Sequence, residues 1–538
     1  MVLRFENVSF QYSGTSGWGL REVNFTVPGG EMVLVAGASG SGKSTLCRAS
    51  VGLIPHFYRG SWQGRVWVDG LDTRDYPVYR LFGRVGLAFQ NPDTQIFNQT
   101  VEAELAYGLE SLGLECDEME RRLSWVSDLV GLGSLMHRPP HSLSGGEKQR
   151  VILGAILALK PRLVLLDEPF THLDSEGTMS LKRLLQSIRE EGIGLIVAEH
   201  RLHEIVADAD RLVILNEGKL VADGPPRHIL SDDLSDFGLN LPPLIRFFRD
   251  HGWRETPLTV SEATSALRDK LRRGEITYSM LLDELSDNRV GKSHRSENCS
   301  RGDSSLMIDV EGLEFRYDHA EVLRGVNLTL QRGETVALVG RNGSGKTTLV
   351  KHLNRLLRPM RGFVRVMSHD TRNKSVAELA RHVGFAWQNP NDQLFQANVL
   401  DEVLTGPRAL HAYDPEWCSH LIRRFGLEPL LDRSPFQLSE GEKKRVAFAT
   451  ALAAKPELVI LDEPTAGQDE MFRRELAVLM EELRAEGRTV LIVTHDLEFA
   501  AQHADRWIVL ADGRIVADGP PNTVMANAQV MAASGIHP

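Results

Sequence analysis

Two glycine-rich phrases, GASGSGKST at residues 37–45 and GRNGSGKTT at residues 340–348, carry the residue types that cradle phosphate. Glycines let successive backbone N–H groups turn inward around phosphate oxygens, and a helix that starts behind such a loop favours an anion at its N-terminus. Gly37, Ser39, Gly40 and Gly42 form the first loop, and Gly340, Asn342, Gly343 and Gly345 form the second. Lys43 and Lys346 reach the outer phosphates. Ser44 and Thr347 are placed to hold Mg²⁺, with Thr45 and Thr348 following them.

Each half then contains an apolar run ending in two acids, LVLLDEP with Asp167 and Glu168 and LVILDEP with Asp462 and Glu463. At the end of a strand beside a phosphate loop, the first acid suits the magnesium shell and the second suits orienting or deprotonating water. A third pair of phrases, LSGGEKQR at 143–150 and LSEGEKKR at 438–445, fits Ser-x-x-Glu before an apolar run, which predicts a capping box at a helix N-terminus. That is a further anion site, and nothing within its own half needs a second one.

Elements must bring these residues together, and the chain spells them out twice. VADGPP at 221–226 returns 295 residues later, as do the acid pairs and His200 as His495. Lys43 and Lys346 stand 303 apart, so the second copy is eight residues shorter between its loop and its later motifs; surface loops are the expected place for that loss. Short apolar runs at 33–36, 164–166 and 195–198, and at 336–339, 459–461 and 490–493, alternate with longer helix-compatible stretches. That is the pattern of buried parallel strands in an α/β domain.

The expected organisation is 1–230 and 306–538 as the two domains, 231–285 as a helical extension and 286–305 as a disordered tether with Val290 its one aliphatic residue. A flexible tether of that length spans roughly 25 Å, enough for the halves to pair within one molecule. Composition, with 42% hydrophobic and 25% charged residues, fits a globular protein, and no apolar run approaches the roughly 20 residues that span a bilayer. A net charge of -11 argues against a role wrapping nucleic acid. Four scattered cysteines, without a Cys-x-x-Cys pair, suggest neither zinc nor an iron–sulfur cluster and fit a reduced, cytoplasmic setting. The start MVLRFENVSF lacks the marks of a signal peptide.

Loop, acids and capped helix together resemble the ATP-binding-cassette (ABC) ATPases over nearly all of both halves. The resemblance implies an α/β fold of two P-loop nucleotide-binding domains, each with a RecA-like core, an antiparallel β subdomain and a helical subdomain. It implies ATP and Mg²⁺ as ligands. Gln90 and Gln388 match the Q-loop glutamine that senses magnesium and contacts the membrane partner. His200 and His495 match the switch histidine on the γ-phosphate, Asp174 and Asp469 the D-loop aspartate, and Tyr12 and Tyr317 the aromatic that stacks on adenine. Head-to-tail pairing implies two composite sites. One joins Lys43, Gln90, Asp167, Glu168 and His200 to Ser439 and Gly441. The other joins Lys346, Gln388, Asp462, Glu463 and His495 to Ser144, Gly145 and Gly146. The departure is Glu440, where the family usually has glycine. The carboxylate either complements the helix dipole or sits near the γ-phosphate and weakens the first site.

The texts QNPDTQIF from Gln90 and QNPNDQLF from Gln388, each followed by an acidic helix, resemble the ATPases of energy-coupling-factor transporters, importers of vitamins and cobalt-type ions. There the segment lines a groove for coupling helices of a transmembrane T component, which works with a substrate-binding S component. Glu102, Glu104, Asp401 and Glu402 are expected to face arginines of that partner. LPPLIRFFRDHG resembles the helical extension of the same ATPases. The implied place is the cytoplasmic face of the membrane, peripherally bound. Fused sugar-import ATPases, and soluble tandem cassettes acting on ribosomes or DNA, are the other readings. The latter are expected to show a basic helical insert, cysteine clusters or an inserted coiled coil, which this sequence lacks.

Overall fold

The computed structural model describes residues 1–14, 17–171, 173–232, 234, 237–277, 306–318, 320–468 and 470–534. The expected tether at 286–305, and Asp469, lie outside the described residues. The chain divides into two compact units, Met1–Tyr278 and Ser279–Pro538.

In the first unit the apolar runs form a six-stranded sheet in the order Val85–Ala88, Leu163–Asp167, Gly194–Glu199, Met32–Ala36, Arg211–Asn216 and Lys219–Gly224. The first five strands are parallel and the last is antiparallel. Every residue of Met32–Ala36, Leu163–Asp167 and Gly194–Glu199 is buried, which is why these strands read as unbroken apolar runs. Alternate residues of one strand serve different cores. Leu34 and Ala36 pack with Leu105, Val130 and Leu153 of the helical side, while Val33 and Val35 pack with Phe5, Phe25 and Leu46.

The second core lies against an antiparallel sheet of Leu3–Tyr12, Leu20–Val27, Gly60–Val68 and Leu71–Asp72. The helical side carries Val101–Ser111, Cys116–Val130 and Gly145–Ala158. The second unit repeats the plan. Its six-stranded sheet runs Val383–Ala386, Leu458–Asp462, Thr489–Thr494, Thr335–Val339, Arg506–Ala511 and Arg514–Gly519, beside an antiparallel sheet beginning with Leu306–Tyr317. This is the α/β fold with an antiparallel and a helical subdomain implied by the sequence.

The eight-residue shortening is not confined to loops. The offset between equivalent residues drops from 303 at the phosphate loops to 298 at Val68 and Val366, where Gly60–Val68 gives way to the shorter strand Arg361–Val366. It drops again to 295 across the helical subdomain, where the 15-residue helix Cys116–Val130 is matched by the 10-residue helix Pro415–Arg424. Both places lie outside the six-stranded sheets, so the parallel strands are kept. In the stretch expected to be a helical extension, Pro243–Asp250 and Val260–Arg273 are helices. The second is capped by Thr259, whose hydroxyl accepts from the Glu262 N–H at 3.2 Å, and ends at Gly274 in the left-handed region.

Candidate active site

The parallel register sets the site. Ala36 lies beside Glu199 and Asp167 beside Ala198, so the phosphate loop, the acid pair and His200 leave three adjacent strands at one carboxyl edge. In the second unit Val339 lies beside Thr494 and Asp462 beside Val493, with the same result.

The loops are tight. A Cβ on Gly37 would stand 2.3 Å from Ser41 Oγ and 2.4 Å from the Leu215 carbonyl oxygen, and one on Gly340 would stand 2.2 Å from the Leu510 carbonyl oxygen. Gly42 and Gly345, at φ 111° and 103°, precede the helices Lys43–Ser50 and Lys346–Leu353 in a conformation that side chains disfavour. The Lys43 ammonium lies inside its loop, donating to the carbonyls of Gly37 at 2.8 Å and Ala38 at 3.0 Å. Lys346 does the same to Gly340 and Arg341 at 2.6 and 3.0 Å. Loop tips Ser39 and Gly40, and Asn342 and Gly343, are exposed. Ser41 and Ser344, which sequence reasoning passed over, are buried in the loops with unpartnered hydroxyls.

Glu168 and Glu463 both sit at φ 49°, a left-handed conformation that costs a non-glycine residue about 1–2 kcal/mol. The same strain in both units marks the turn as specified. Glu168 accepts from the Gln90 amide at 2.8 Å and lies 3.7 Å from His200 Nδ1 and 3.9 Å from Lys43 Nζ. Glu463 lies 2.8 Å from His495 Nδ1 and accepts from the Thr494 hydroxyl at 3.3 Å, while Gln388 is exposed and makes no bond to it. Burial pushes the Glu168 carboxyl up, but His200, Lys43 and Arg201 outweigh it and hold the group well below its usual range. Glu463 is held down in the same way, against burial, by His495, Lys346 and Lys444. Each therefore stays ionised, fit to orient water.

Their neighbours go the other way. Burial, then the adjacent glutamate, pushes Asp167 up to about 6 and Asp462 up to about 7. Asp167 Oδ1 and Asp462 Oδ1 are buried without a partner, and the Thr347 hydroxyl donates to the other Asp462 oxygen at 3.0 Å. A hydroxyl and an orphaned carboxylate oxygen, with Gln90 beside the acid pair in the first unit, make an oxygen-only donor set suited to Mg²⁺. Among the described residues no group of three His, Cys, Asp or Glu could cage a metal alone.

Both capping boxes form. Ser144 accepts from the Glu147 N–H and Glu147 accepts from the Ser144 N–H, at the start of Gly145–Ala158. Ser439 and Glu442 repeat this at Glu440–Leu452. Ser144, Gly145 and Ser439 are exposed at those helix ends, with Gly146 and Gly441 half-buried. One turn on, the units differ. Gln149 donates to the Pro169 carbonyl at 2.8 Å, whereas its counterpart Lys444 is buried and donates to the carbonyls of Glu463 and Ala466 at 2.5 and 2.8 Å. Burial pushes Lys444 down to about 8, against the pull of Glu463, Asp462 and Glu440.

The aromatic residues are not equivalent. Tyr317 is exposed, with its ring edge-on to Phe315. Tyr12 is half-buried, its hydroxyl 3.3 Å from the Thr45 hydroxyl and accepting from Arg48 at 3.1 Å. Trp18 is exposed, next to Gly19, whose carbonyl abuts Gly42. Thr45 and Thr348 are buried in the loop helices. Asp174 caps the helix Ser175–Glu190 by accepting from the Gly177 N–H at 2.8 Å.

After the Q-loop glutamines, the expectation of outward-facing acids needs correction. Glu104 is buried and accepts from the N–H groups of Phe97 and Asn98 at 3.2 and 2.8 Å. Glu402 is buried and accepts from Phe395 and Gln396 at 2.8 and 2.6 Å. A carboxylate that satisfies two turn N–H groups is better off inside than in water. Glu102, 3.3 Å from His137, and Asp401, 3.2 Å from Arg408, remain accessible. The second glutamine of each motif is a lock: Gln95 accepts from the Phe89 N–H and donates to the Leu87 carbonyl. Gln393 accepts from Trp387 and donates to Ala447. What these bonds hold out to solvent is Phe97, 64% exposed, and Phe395, 65% exposed.

A phosphate loop, an ionised acid beside a histidine, and a helix capped at its N-terminus, all present twice, define a tandem P-loop ATPase. The sequence profile of the ABC transporter family matches residues 20–171 and 323–466. Relatives provisionally described as ABC transporter ATP-binding proteins align with nearly the whole chain. One from Streptomyces coelicolor is 38% identical over 97% of this chain and 95% of its own length. One from Caldanaerobacter subterraneus subsp. tengcongensis is 35% identical over 92% and 86%, and one from Methanosarcina mazei is 34% identical over 100% and 92%. The solved structure of cbiO1 from Clostridium perfringens, part of the ABC transporter complex cbiONQ, is 34% identical over 42% of this chain and 94% of that one, with a TM-score of 0.37. The chain belongs to the ABC transporter family and is an ATP-binding subunit with ATPase activity. No helix among the described residues is long and apolar enough to cross a membrane.

Proposed function

We propose that the chain is the energy-coupling ATPase of an energy-coupling-factor importer, bound peripherally at the cytoplasmic face of the membrane. It would drive uptake of a vitamin, a vitamin precursor or a transition-metal ion. One observation carries the reading: in both units a buried glutamate and a locked glutamine hold a phenylalanine in solvent just after the Q-loop glutamine. Two partly buried hydrogen bonds spent on exposing an apolar ring make sense where a partner covers it. The partner is the transmembrane T component, whose coupling helices seat over Phe97 and Phe395, with a substrate-binding S component beside it.

The reading includes the head-to-tail pairing that the family resemblance implies, in which Ser439 and Gly441 would complete the site of Lys43, and Ser144, Gly145 and Gly146 that of Lys346. ATP phosphates take over the contacts that Lys43 and Lys346 make with their own loop carbonyls. Glu168 and Glu463 orient water in line with the γ-phosphate, and His200 and His495 steady the charge that builds on it. Asp167 with Ser44 and Gln90, and Asp462 with Thr347 and Gln388, would hold Mg²⁺, which supplies neutralising charge on the phosphates when bound. Asp174 and Asp469 couple the two sites, and Tyr12 and Tyr317 take the adenine.

The test is capture of tagged full-length chain from detergent-solubilised membranes of its own host. The reading predicts two integral membrane proteins in the eluate and their loss in a Phe97→Asp/Phe395→Asp variant that still hydrolyses ATP. Capture of ribosomes, or of no membrane protein, would contradict it.

A further inference from the structure

The glycine of the first signature, Gly145, becomes Glu440 in the second, and sterics do not explain the exchange. A Cβ at Gly145 meets nothing within 4 Å, so this position accepts a side chain in either unit. Charge does explain it. In the first unit Lys148, one turn into the signature helix, reaches back to the 3₁₀ turn Pro92–Thr94 and pairs with Asp93 at 2.6 Å. In the second unit the equivalent lysine, Lys443, is intact, but the residue matching Asp93 is the neutral Asn391. Lys443 lies 3.0 Å from Glu440 and donates to the Asn391 side-chain oxygen at 2.9 Å, while the Asn391 amide faces the Glu440 carboxylate at 3.4 Å. Each lysine nitrogen thus has one carboxylate within 3.0 Å. Only the segment that supplies the carboxylate has changed.

We infer that Glu440 is a positioning residue that replaces, from the signature helix itself, the carboxylate the first unit supplies from the turn after its Q-loop glutamine. Lys148 and Lys443 thereby fasten that turn to the helix whose exposed end begins at Ser144 or Ser439. In the first unit one ionic bond spans the two segments. In the second the lysine is neutralised within its own helix and the link to the turn runs through a neutral amide, so the two units fasten their partner-facing turns differently. Glu440 has its role inside its own unit, in contrast to a carboxylate that opposes a γ-phosphate.

The experiment compares steady-state ATP hydrolysis by full-length wild type, Glu440→Gln, Asn391→Asp and the double variant Asn391→Asp/Glu440→Gln. An exposed ion pair contributes enough for about a two- to fivefold effect. Glu440→Gln should lower kcat by about that factor with the KM for ATP little changed, because nucleotide contacts are untouched. The double variant, which rebuilds the first unit's arrangement, should return to near the wild-type rate. A Glu440→Gln variant that is unchanged, that is faster or binds ATP more tightly, or that Asn391→Asp fails to rescue would overturn the inference. The proposal rests on ATP hydrolysis by this chain, and the two failures separate: an inactive wild type sinks the ATPase reading, an active wild type without rescue sinks only this one.

Discussion

Lys444 is a cation buried where the first unit has Gln149, and its replacement by glutamine has a consequence that depends on pH. Burial lowers the ammonium from its usual 10.5 to about 8. A lysine whose folded value lies below its unfolded one opposes folding fully below the folded value, and the cost fades as pH rises towards the unfolded value. From those two values the charged lysine costs about 3 kcal/mol at pH 7, about 2 kcal/mol at pH 9 and about 1 kcal/mol at pH 10. Glutamine carries no such cost and, as Gln149 shows with Pro169, can still donate to the turn. Lys444→Gln should therefore gain stability relative to wild type by an amount that shrinks by about 2 kcal/mol between pH 7 and pH 10. Denaturant unfolding of the ligand-free full chain at several pH values measures it; titrating groups remote from Lys444 cancel in the difference, while Asp462, which loses an opposite charge, adds to the shrinkage. A difference that is flat with pH, or grows as pH rises, would refute the assignment of Lys444 as a buried charge.

Two further outcomes follow from the geometry. Glu104→Ala leaves the N–H groups of Phe97 and Asn98 without their acceptor, at a cost of about 1–3 kcal/mol confined to that turn. Hydrogen exchange should quicken at residues 97–98 while ATP hydrolysis persists; unchanged exchange would mean that the carboxylate is not what holds the phenylalanine. Gly37→Ala should abolish nucleotide binding at its loop, because the new Cβ would collide with the Leu215 carbonyl, whereas a Cβ on Gly40 meets nothing and is opposed only by its φ of 77°. Calorimetric titration with ATP distinguishes the two, and equal affinity in both variants would show the loop to be looser than its contacts indicate.

The features legible in the sequence are those fixed by short-range rules. The phosphate loops, the acids at strand ends and both capping boxes depend on residues within one turn of each other, and a second copy guards against coincidence. The two units, their parallel strands and their helical sides follow from the same runs. What was hidden depends on residues distant in sequence or on conformations that residue type does not announce. Glu104 and Glu402 look like solvated acids on a helix, yet the N–H groups that draw them inward belong to a turn six and seven residues earlier. The strained φ of Glu168 and Glu463 has no mark in the letters DEP. Glu440 reads as a lone departure until Asn391, 49 residues away, is placed beside Lys443.

The proposed hydrolysis turns on two acids held ionised beside two histidines, and turnover by Glu168→Gln/Glu463→Gln tests it most directly. Glutamine keeps the shape but removes the charge proposed to orient water, so ATP binding should persist while steady-state hydrolysis falls by about 100-fold or more. Hydrolysis within a few-fold of wild type, with binding intact, would contradict the roles given to Glu168 and Glu463.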